Sequence, residues 1–446
     1  MPESELPKTE PAWRGLLRRF TALVAGESVA RLLGFVAVIL MARRLTPQGF
    51  GVVVFGITLV HWFRIVVDSG TETMGVRDVA REPWRFRELT ERILGLRLAL
   101  SAAAVVLFVL AASVLPGTAT DRRAGYLFAL ILPVVALNMR WMVLGVEKAK
   151  AVAVGNIASQ VVMVIGVLLL VKAHFDVLWV PVSMAAGELV YALVVLVAVR
   201  RRFGLILPRV DMEAWMRVLR SGLPLTVMNF ARTALYSFDV LLIAAVMARY
   251  DVGLYGAAYK PVMFGATIMG LLSVTFLASL ASSHGADRAA LVRRTVLVGA
   301  AAGALAALVL SLVAGRLMTD LFGENYTGAT TALVILAWTI PIMAATLPYS
   351  NALIAADRQG VLMRNNLWAA GANVLANLAA VPLFGIEGAA AVTVASFLLV
   401  LVLDYLSAVR LGLVEPIAAS LRVVWRRLGA PAGGHKIAPA EPVDPA

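Results

Sequence analysis

About twelve apolar runs, each near 20 residues long, fill most of this sequence: 21–42, 49–68, 94–115, 124–145, 151–171, 177–199, 222–248, 253–280, 291–313, 330–355, 361–381 and 388–409. A run of that length crosses the hydrocarbon core as an α-helix, which satisfies its own backbone polar groups where no water can. The pattern predicts an all-α, polytopic integral membrane protein. Composition agrees: of 446 residues, 61% are hydrophobic and 15% charged, with a mean hydropathy of +0.86. A soluble domain of this size does not carry such an apolar excess.

The sequence has no cysteine, which excludes disulfides and thiolate metal sites. Its four histidines, His61, His174, His284 and His435, are widely spaced, so no histidine metal cluster and no cofactor are expected. The net charge of +13 reads as loop charge facing anionic lipid rather than as a nucleic-acid surface. Residues 1–11 are polar and the first apolar run is long, so no cleavable signal peptide is expected.

Basic residues set the orientation. Arg77, Arg81, Arg85, Arg87, Arg92 and Arg97 follow the second run; Arg200, Arg201, Arg202, Arg209, Arg217 and Arg220 follow the sixth. The loops of the other side hold only Arg43, Arg44, Arg122, Arg123, Lys172, Arg249 and Arg316. The positive-inside rule then places both termini in the cytoplasm of a cell with this protein in its inner (plasma) membrane.

The basic stretch in the middle divides the chain. We expect a cytoplasmic N-terminus over 1–20, a six-helix lobe over 21–199, a linker with an amphipathic helix over 200–221, a second six-helix lobe over 222–411, and an amphipathic helix with a disordered tail over 412–446. The halves echo each other. Ala30-Arg31 precedes Gly49-Phe50-Gly51, and Ala231-Arg232 precedes Gly253-Leu254-Tyr255-Gly256. Six runs per half would make parallel repeats, hence two pseudo-symmetric lobes around a central cavity.

Charges inside the runs are the candidate site. Each costs roughly 2.5–3.5 kcal/mol at a helix centre, so it tends to face a bundle interior or a wet cavity. Glu27 and Arg31 share a face of the first run, four residues apart. His61, Arg64 and Asp68 share a face of the second, and Arg232 and Asp239 a face of the seventh. Arg140 and Lys260 have no opposite charge in their own runs; Glu188 and Asp404 are lone acids. Each pair reads equally as a structural ion pair that lets both members enter the membrane, and each lone acid as a silent protonated group or a proton relay. The chain carries no P-loop, no nucleophile-elbow serine motif and no zinc-protease helix motif, so neither ATP hydrolysis by a P-loop nor those hydrolytic chemistries are expected.

Ala30-Arg-Leu-Leu-Gly-Phe35 continuing to Leu40-Met-Ala-Arg-Arg-Leu-Thr-Pro-Gln-Gly-Phe-Gly51 resembles the first span of the Wzx-type polysaccharide-biosynthesis flippases. These belong to the multidrug/oligosaccharidyl-lipid/polysaccharide exporter (MOP) superfamily. Asp68-Ser-Gly with Val76-Arg-Asp-Val-Ala-Arg81, Asp239-Val-Leu-Leu-Ile with Val252-Gly-Leu-Tyr-Gly-Ala-Ala-Tyr259, Leu321-Phe-Gly-Glu-Asn-Tyr326 and Pro382-Leu-Phe-Gly-Ile-Glu-Gly-Ala-Ala390 are similar to further stretches of that family, in the same order. Arg31 also matches an arginine in the first span of lipid II flippases.

The resemblance implies alternating access and a polyprenyl-diphosphate-linked oligosaccharide moved from the inner to the outer leaflet, without enzymatic turnover. Its implied partners are that lipid-linked substrate, membrane lipids, and a polysaccharide polymerase or glycosyltransferases of the same pathway; nucleic acid is not among them. A diphosphate suits arginine, so Arg31, Arg232, Arg64, Arg140 and Lys260 are the expected substrate-binding residues. Glu27, Glu188, Asp239 and Asp68 are the expected ion-coupling residues. A multidrug or cation exporter and a lipid II-type flippase are the alternatives. An acid-dominated cavity would favour the exporter, and a long catalytic outer loop would favour a membrane enzyme.

Overall fold

A computed structural model describes residues 12–114, 116–145, 149–172, 176–281 and 285–416. The expected tail helix over 417–428, the residues after it and the extreme N-terminus lie outside the described residues. Fifteen α-helices occur among those described. In the first half they are α1 (Ala12–Arg44), α2 (Pro47–Asp68), α3 (Thr71–Arg81), α4 (Phe86–Val114), α5 (Ala119–Ala129), α6 (Ile131–Ala136), α7 (Arg140–Gly145), α8 (Ala149–Leu170) and α9 (Trp179–Phe203). In the second they are α10 (Met212–Val246), α11 (Arg249–Ala281), α12 (Gly285–Leu317), α13 (Thr330–Ala337), α14 (Thr339–Ala355) and α15 (Gln359–Arg410).

Nine helical stretches among the described residues are long and apolar enough to cross a membrane. One of them, α15, makes two passes. It folds back at Gly385, whose φ of 61° and ψ of −142° break the helix in a region that favours glycine. The hairpin is stitched by Asn373 donating to Ser396 (2.9 Å) and Asn365 to Asp404 (2.9 Å). With α1 and α11, each 33 residues long, the twelve expected passes are all helical. Leu297, Leu305, Leu308 and Leu312 stand exposed along α12, the apolar face a lipid-bathed helix presents.

Helix starts follow ordinary capping rules. Thr46 accepts from the Gly49 amide with Pro47 in the first turn of α2. Thr118 and Asp121 form a reciprocal capping box on α5. The expected surface helix over 211–220 is not separate: it is the first part of α10, which runs 35 residues through Pro224. Nothing between Arg220 and Leu223 breaks the helix, and Asp211 caps its start while pairing with Arg92 at 2.9 Å. The fourth run is interrupted after α6, where Asn138 accepts from the Arg140 amide (3.0 Å) and starts α7.

Call the end that carries the arginine-rich loops the basic end. At the other end one continuous apolar core joins the two halves, from Val53 and Phe55 on α2 to Tyr255 and Ala257 on α11 and on to Tyr326. Near the basic end the core is split. One cluster, with Phe86, Trp141 and Tyr191, belongs to the first half. Another, with Val292, Tyr349 and Ala408, belongs to the second. The lobes therefore share one core at one end and keep their own cores toward the other, where they still meet along α2 and α10: a Cβ on Gly222 would lie 2.3 Å from the Ser69 carbonyl oxygen.

The seal is a crossing of α2 and α11 at two glycines. A Cβ on Gly51 would lie 1.8 Å from the Arg249 carbonyl oxygen, and one on Gly253 would lie 1.9 Å from that of Pro47. Gly253 follows Gly51 by the same 202 positions by which Arg249 follows Pro47. The same offset relates two contacts deeper in the fold, Trp62 donating to Ser237 (3.0 Å) and Phe264 stacking on Phe35 (5.1 Å). These reciprocal contacts define a pseudo-two-fold axis along the helices, as parallel repeats require.

Candidate functional site

Depth along the helices brings four basic groups to one level. At ~1.5 Å per residue from the sealed end, Arg31, His61, Arg232 and Lys260 all fall roughly 16–21 Å down, and Arg64 about one turn further. They come from both lobes: Arg31 on α1, His61 and Arg64 on α2, Arg232 on α10 and Lys260 on α11. The His61 imidazole lies within electrostatic reach of Arg64, Arg232 and Lys260. His61 and Arg232 are exposed and Lys260 is half-buried, so the group faces open space between the lobes. Among the described residues, neither Arg232 nor Lys260 has an acidic partner.

Arg31 differs. Its guanidinium pairs with Glu27 at 3.3 Å, and the other Glu27 oxygen accepts from Asn156 of α8 (2.9 Å). The Arg31 side chain stays 47% exposed. It lies one turn from Phe35, whose ring meets Phe264 across the lobes. The two-fold offset pairs Arg232 with Ala30, not with Arg31. The two arginines therefore stand one residue out of register, about 100° apart around their helices. The expectation that they are symmetry mates is corrected by that register.

The expected pairing of Arg232 with Asp239 is also absent. Asp239 is buried and held by neutral donors: the Tyr255 hydroxyl, the Thr393 hydroxyl (3.1 Å) and the Val240 amide (2.8 Å). These partners sit on α10, α11 and α15, so only the tertiary fold unites them. Asp404 has a similar setting, accepting from Ser350 (2.6 Å) and Asn365 (2.9 Å).

The first lobe supplies a wall of ion pairs. Arg64 lies 3.5 Å from Glu188 of α9, Arg140 of α7 lies 3.5 Å from Glu72 of α3, and Arg97 of α4 lies 3.7 Å from Asp68. Asp68 also accepts from the Thr71 hydroxyl (3.1 Å) and the Glu72 amide (3.0 Å), closing the turn into α3. With Arg97 only 4% exposed, this last pair is structural. The other two pairs are loose and part-exposed. Glu72 and Tyr191 join this wall but carry no signal within an apolar run that single them out in the sequence.

At the sealed end Arg249 donates to the Ala244 (2.8 Å) and Pro116 (2.7 Å) carbonyls and lies over the Phe55 ring at 4.3 Å. Arg43 bonds the Asp320 and Leu321 carbonyls, and Tyr326 donates to Ala42 (3.0 Å). Arg249 also pairs with Asp121 of α5 at 3.8 Å, and together these contacts tie the lobes to each other. Among the described residues no group of acids and histidines has metal-binding geometry.

The sequence profile of the polysaccharide biosynthesis protein family matches residues 16–280. No curated protein sequence matches the chain. Solved structures share its fold at low identity. An inward-facing multidrug resistance MATE family transporter of the MOP superfamily is 13% identical, with a TM-score of 0.68 over 88% of this chain and 96% of that one. The lipid II flippase MurJ, in an inward closed conformation, is 11% identical, with a TM-score of 0.69 over 91% and 90%. A MOP superfamily transporter from Pyrococcus furiosus, described as having a binding pocket of reversed polarity, is 13% identical, with a TM-score of 0.53 over 92% and 96%. The profile covers more than half of the sequence and the two-lobe fold is shared with MOP superfamily transporters, so the chain belongs to the polysaccharide biosynthesis protein family and has a MOP-type fold.

Proposed function

We propose that this flippase moves a polyprenyl-diphosphate-linked oligosaccharide from the cytoplasmic to the outer leaflet by alternating access. One observation carries the reading: cations from both lobes converge at mid-depth, and Arg232 and Lys260 among them lack acidic partners among the described residues. Uncompensated charge there is costly unless an anion arrives to meet it. A diphosphate is such an anion, and guanidinium groups bind it in bidentate fashion. An exporter of organic cations would need the opposite polarity. The basic end, rich in arginine, is the cytoplasmic side, and both termini lie there. The space between the lobes then opens to the cytoplasm, where the lipid-linked sugar is built. A polymerase or glycosyltransferase of the same pathway is the partner expected to consume or supply the substrate.

Purified protein in liposomes, given a polyprenyl-diphosphate oligosaccharide, should render the head group accessible to an impermeant glycosidase on the trans side. No gain over empty liposomes would refute the reading. Coupling is assigned to an ion gradient. Of the four expected acids, Glu27 and Glu188 sit in arginine pairs and Asp68 closes a turn. Of these four, Asp239 is the one buried among neutral donors, the setting in which a carboxylate can take up and release a proton or bind a small cation. Asp239→Asn should keep substrate binding and lose the dependence of flipping on the proton and sodium gradients. Undiminished, still gradient-dependent flipping by Asp239→Asn would transfer that role elsewhere.

A further inference from the structure

The ion-pair wall of the first lobe differs from the mid-depth cations in one respect that decides its ligand: its charges cancel. Arg64, Arg140 and Arg97 are matched by Glu188, Glu72 and Asp68. Such a surface has no net attraction for an anion. It does offer carboxylate oxygens and guanidinium N–H groups side by side, in pairs only loosely closed at 3.5 Å. The side chains of Arg64 and Glu188 are 39% and 28% exposed, those of Arg140 and Glu72 34% and 42%, so both pairs are open to contact by a ligand.

One further atom points to a ligand. The Tyr191 hydroxyl is buried and has no hydrogen-bond partner. Arg140, Glu72, Arg64 and Glu188 all lie within electrostatic reach of it. A buried hydroxyl left unpaired costs free energy that a partner would restore. Arg140 Nε is likewise without a hydrogen bond. When either loose pair parts, Tyr191, an acid and a guanidinium present donors and acceptors at close quarters.

We propose that this wall, Glu72, Glu188, Tyr191, Arg64 and Arg140, reads the sugar of the substrate, while the mid-depth cations hold the diphosphate. Neighbouring sugar hydroxyls, each both donor and acceptor, fit a neutral surface of paired carboxylates and guanidiniums. A site built to bond hydroxyls also rejects head groups that lack them, because its polar groups are then left unpaired. This inference rests on the flippase reading given above, and it divides the site by charge: net positive for the anion, balanced for the sugar.

Ligand-induced thermal stabilisation of the full chain in nanodiscs tests it, with two probes: bare polyprenyl diphosphate and the same lipid carrying an oligosaccharide. The wild type should bind the glycosylated lipid at least tenfold more tightly. Tyr191→Phe and Glu72→Gln should each lose about fivefold to tenfold of that preference. The Tyr191→Phe apo protein should melt no lower than the wild type, since it loses an unpaired hydroxyl. Equal losses for both lipids, a lower apo melting temperature with preference intact, or no sugar preference in the wild type would each overturn the assignment. Failure of both lipids to bind at all would instead sink the flippase reading itself, and this one with it.

Discussion

Arg232 and Arg31 carry the same side chain in different company, so a different substitution tests each. Arg232 is exposed with no acidic partner among the described residues, so its removal should leave folding untouched. We expect Arg232→Lys, which keeps the charge but loses bidentate geometry, to slow flipping tenfold or more with an unchanged melting temperature. Wild-type rates for Arg232→Lys would remove this arginine from the site. Arg31 is bound to Glu27 and through it to Asn156, so exchanging the two charges is the informative test. If Glu27→Arg with Arg31→Glu restores full transport, the pair is structural. We expect it to restore insertion and not transport. These groups were legible in the sequence because a charge within an apolar run announces its own cost. The partners of Asp239 were not. Tyr255 and Thr393 are ordinary residues of apolar helices, and Thr393 lies 154 positions away. Nor was Tyr191, since an unpaired hydroxyl is a property of packing alone.

At the scale of the helix, run length sufficed to find the passes, because a bilayer enforces a nearly fixed span. Where neighbouring helices decide, the reading slipped. The linker helix merged into α10, and the fourth run broke at Asn138, where a side chain replaces the backbone acceptor. The tightest helix contact, between α2 and α11, was visible only as two glycine-rich echoes. Its physical content is that backbone meets backbone there, with no room for a Cβ. Backbone cannot step aside as a flexible side chain can, so Gly51→Ala should pry the seal apart. A cysteine placed at Val53, fully buried in that core, should become reactive to an impermeant reagent in the Gly51→Ala background and stay silent without it. The native absence of cysteine keeps the signal clean. Unchanged labelling would show that the crossing accommodates a methyl group.

For the whole molecule, the pseudo-two-fold axis and the unequal ends give the proposed alternating-access cycle its geometry. One core seals the lobes at one end and separate cores flank the space at the other. Orientation is tested with a single cysteine at the exposed Ser221, which should resist an impermeant reagent in intact cells and react in inverted vesicles; labelling from outside would reverse the assignment. The cycle itself demands that the sealed end open, and this can be forbidden covalently. A Cβ on Gly256 would lie 3.2 Å from Val54 Cβ across the lobes, a few tenths of an ångström inside the ~3.5–4.5 Å span of a disulfide, so the helices need part only slightly. Val54→Cys with Gly256→Cys should therefore cross-link while the sealed end is closed. The oxidised double variant should still bind the lipid-linked substrate from the basic end. It should flip none of it, and reduction should restore flipping. Loss of transport that persists after reduction would reflect damage by the substitutions, which each single variant would reveal. Full flipping by the locked protein would mean that the substrate crosses without the two lobes parting, and alternating access would have to be abandoned for this chain.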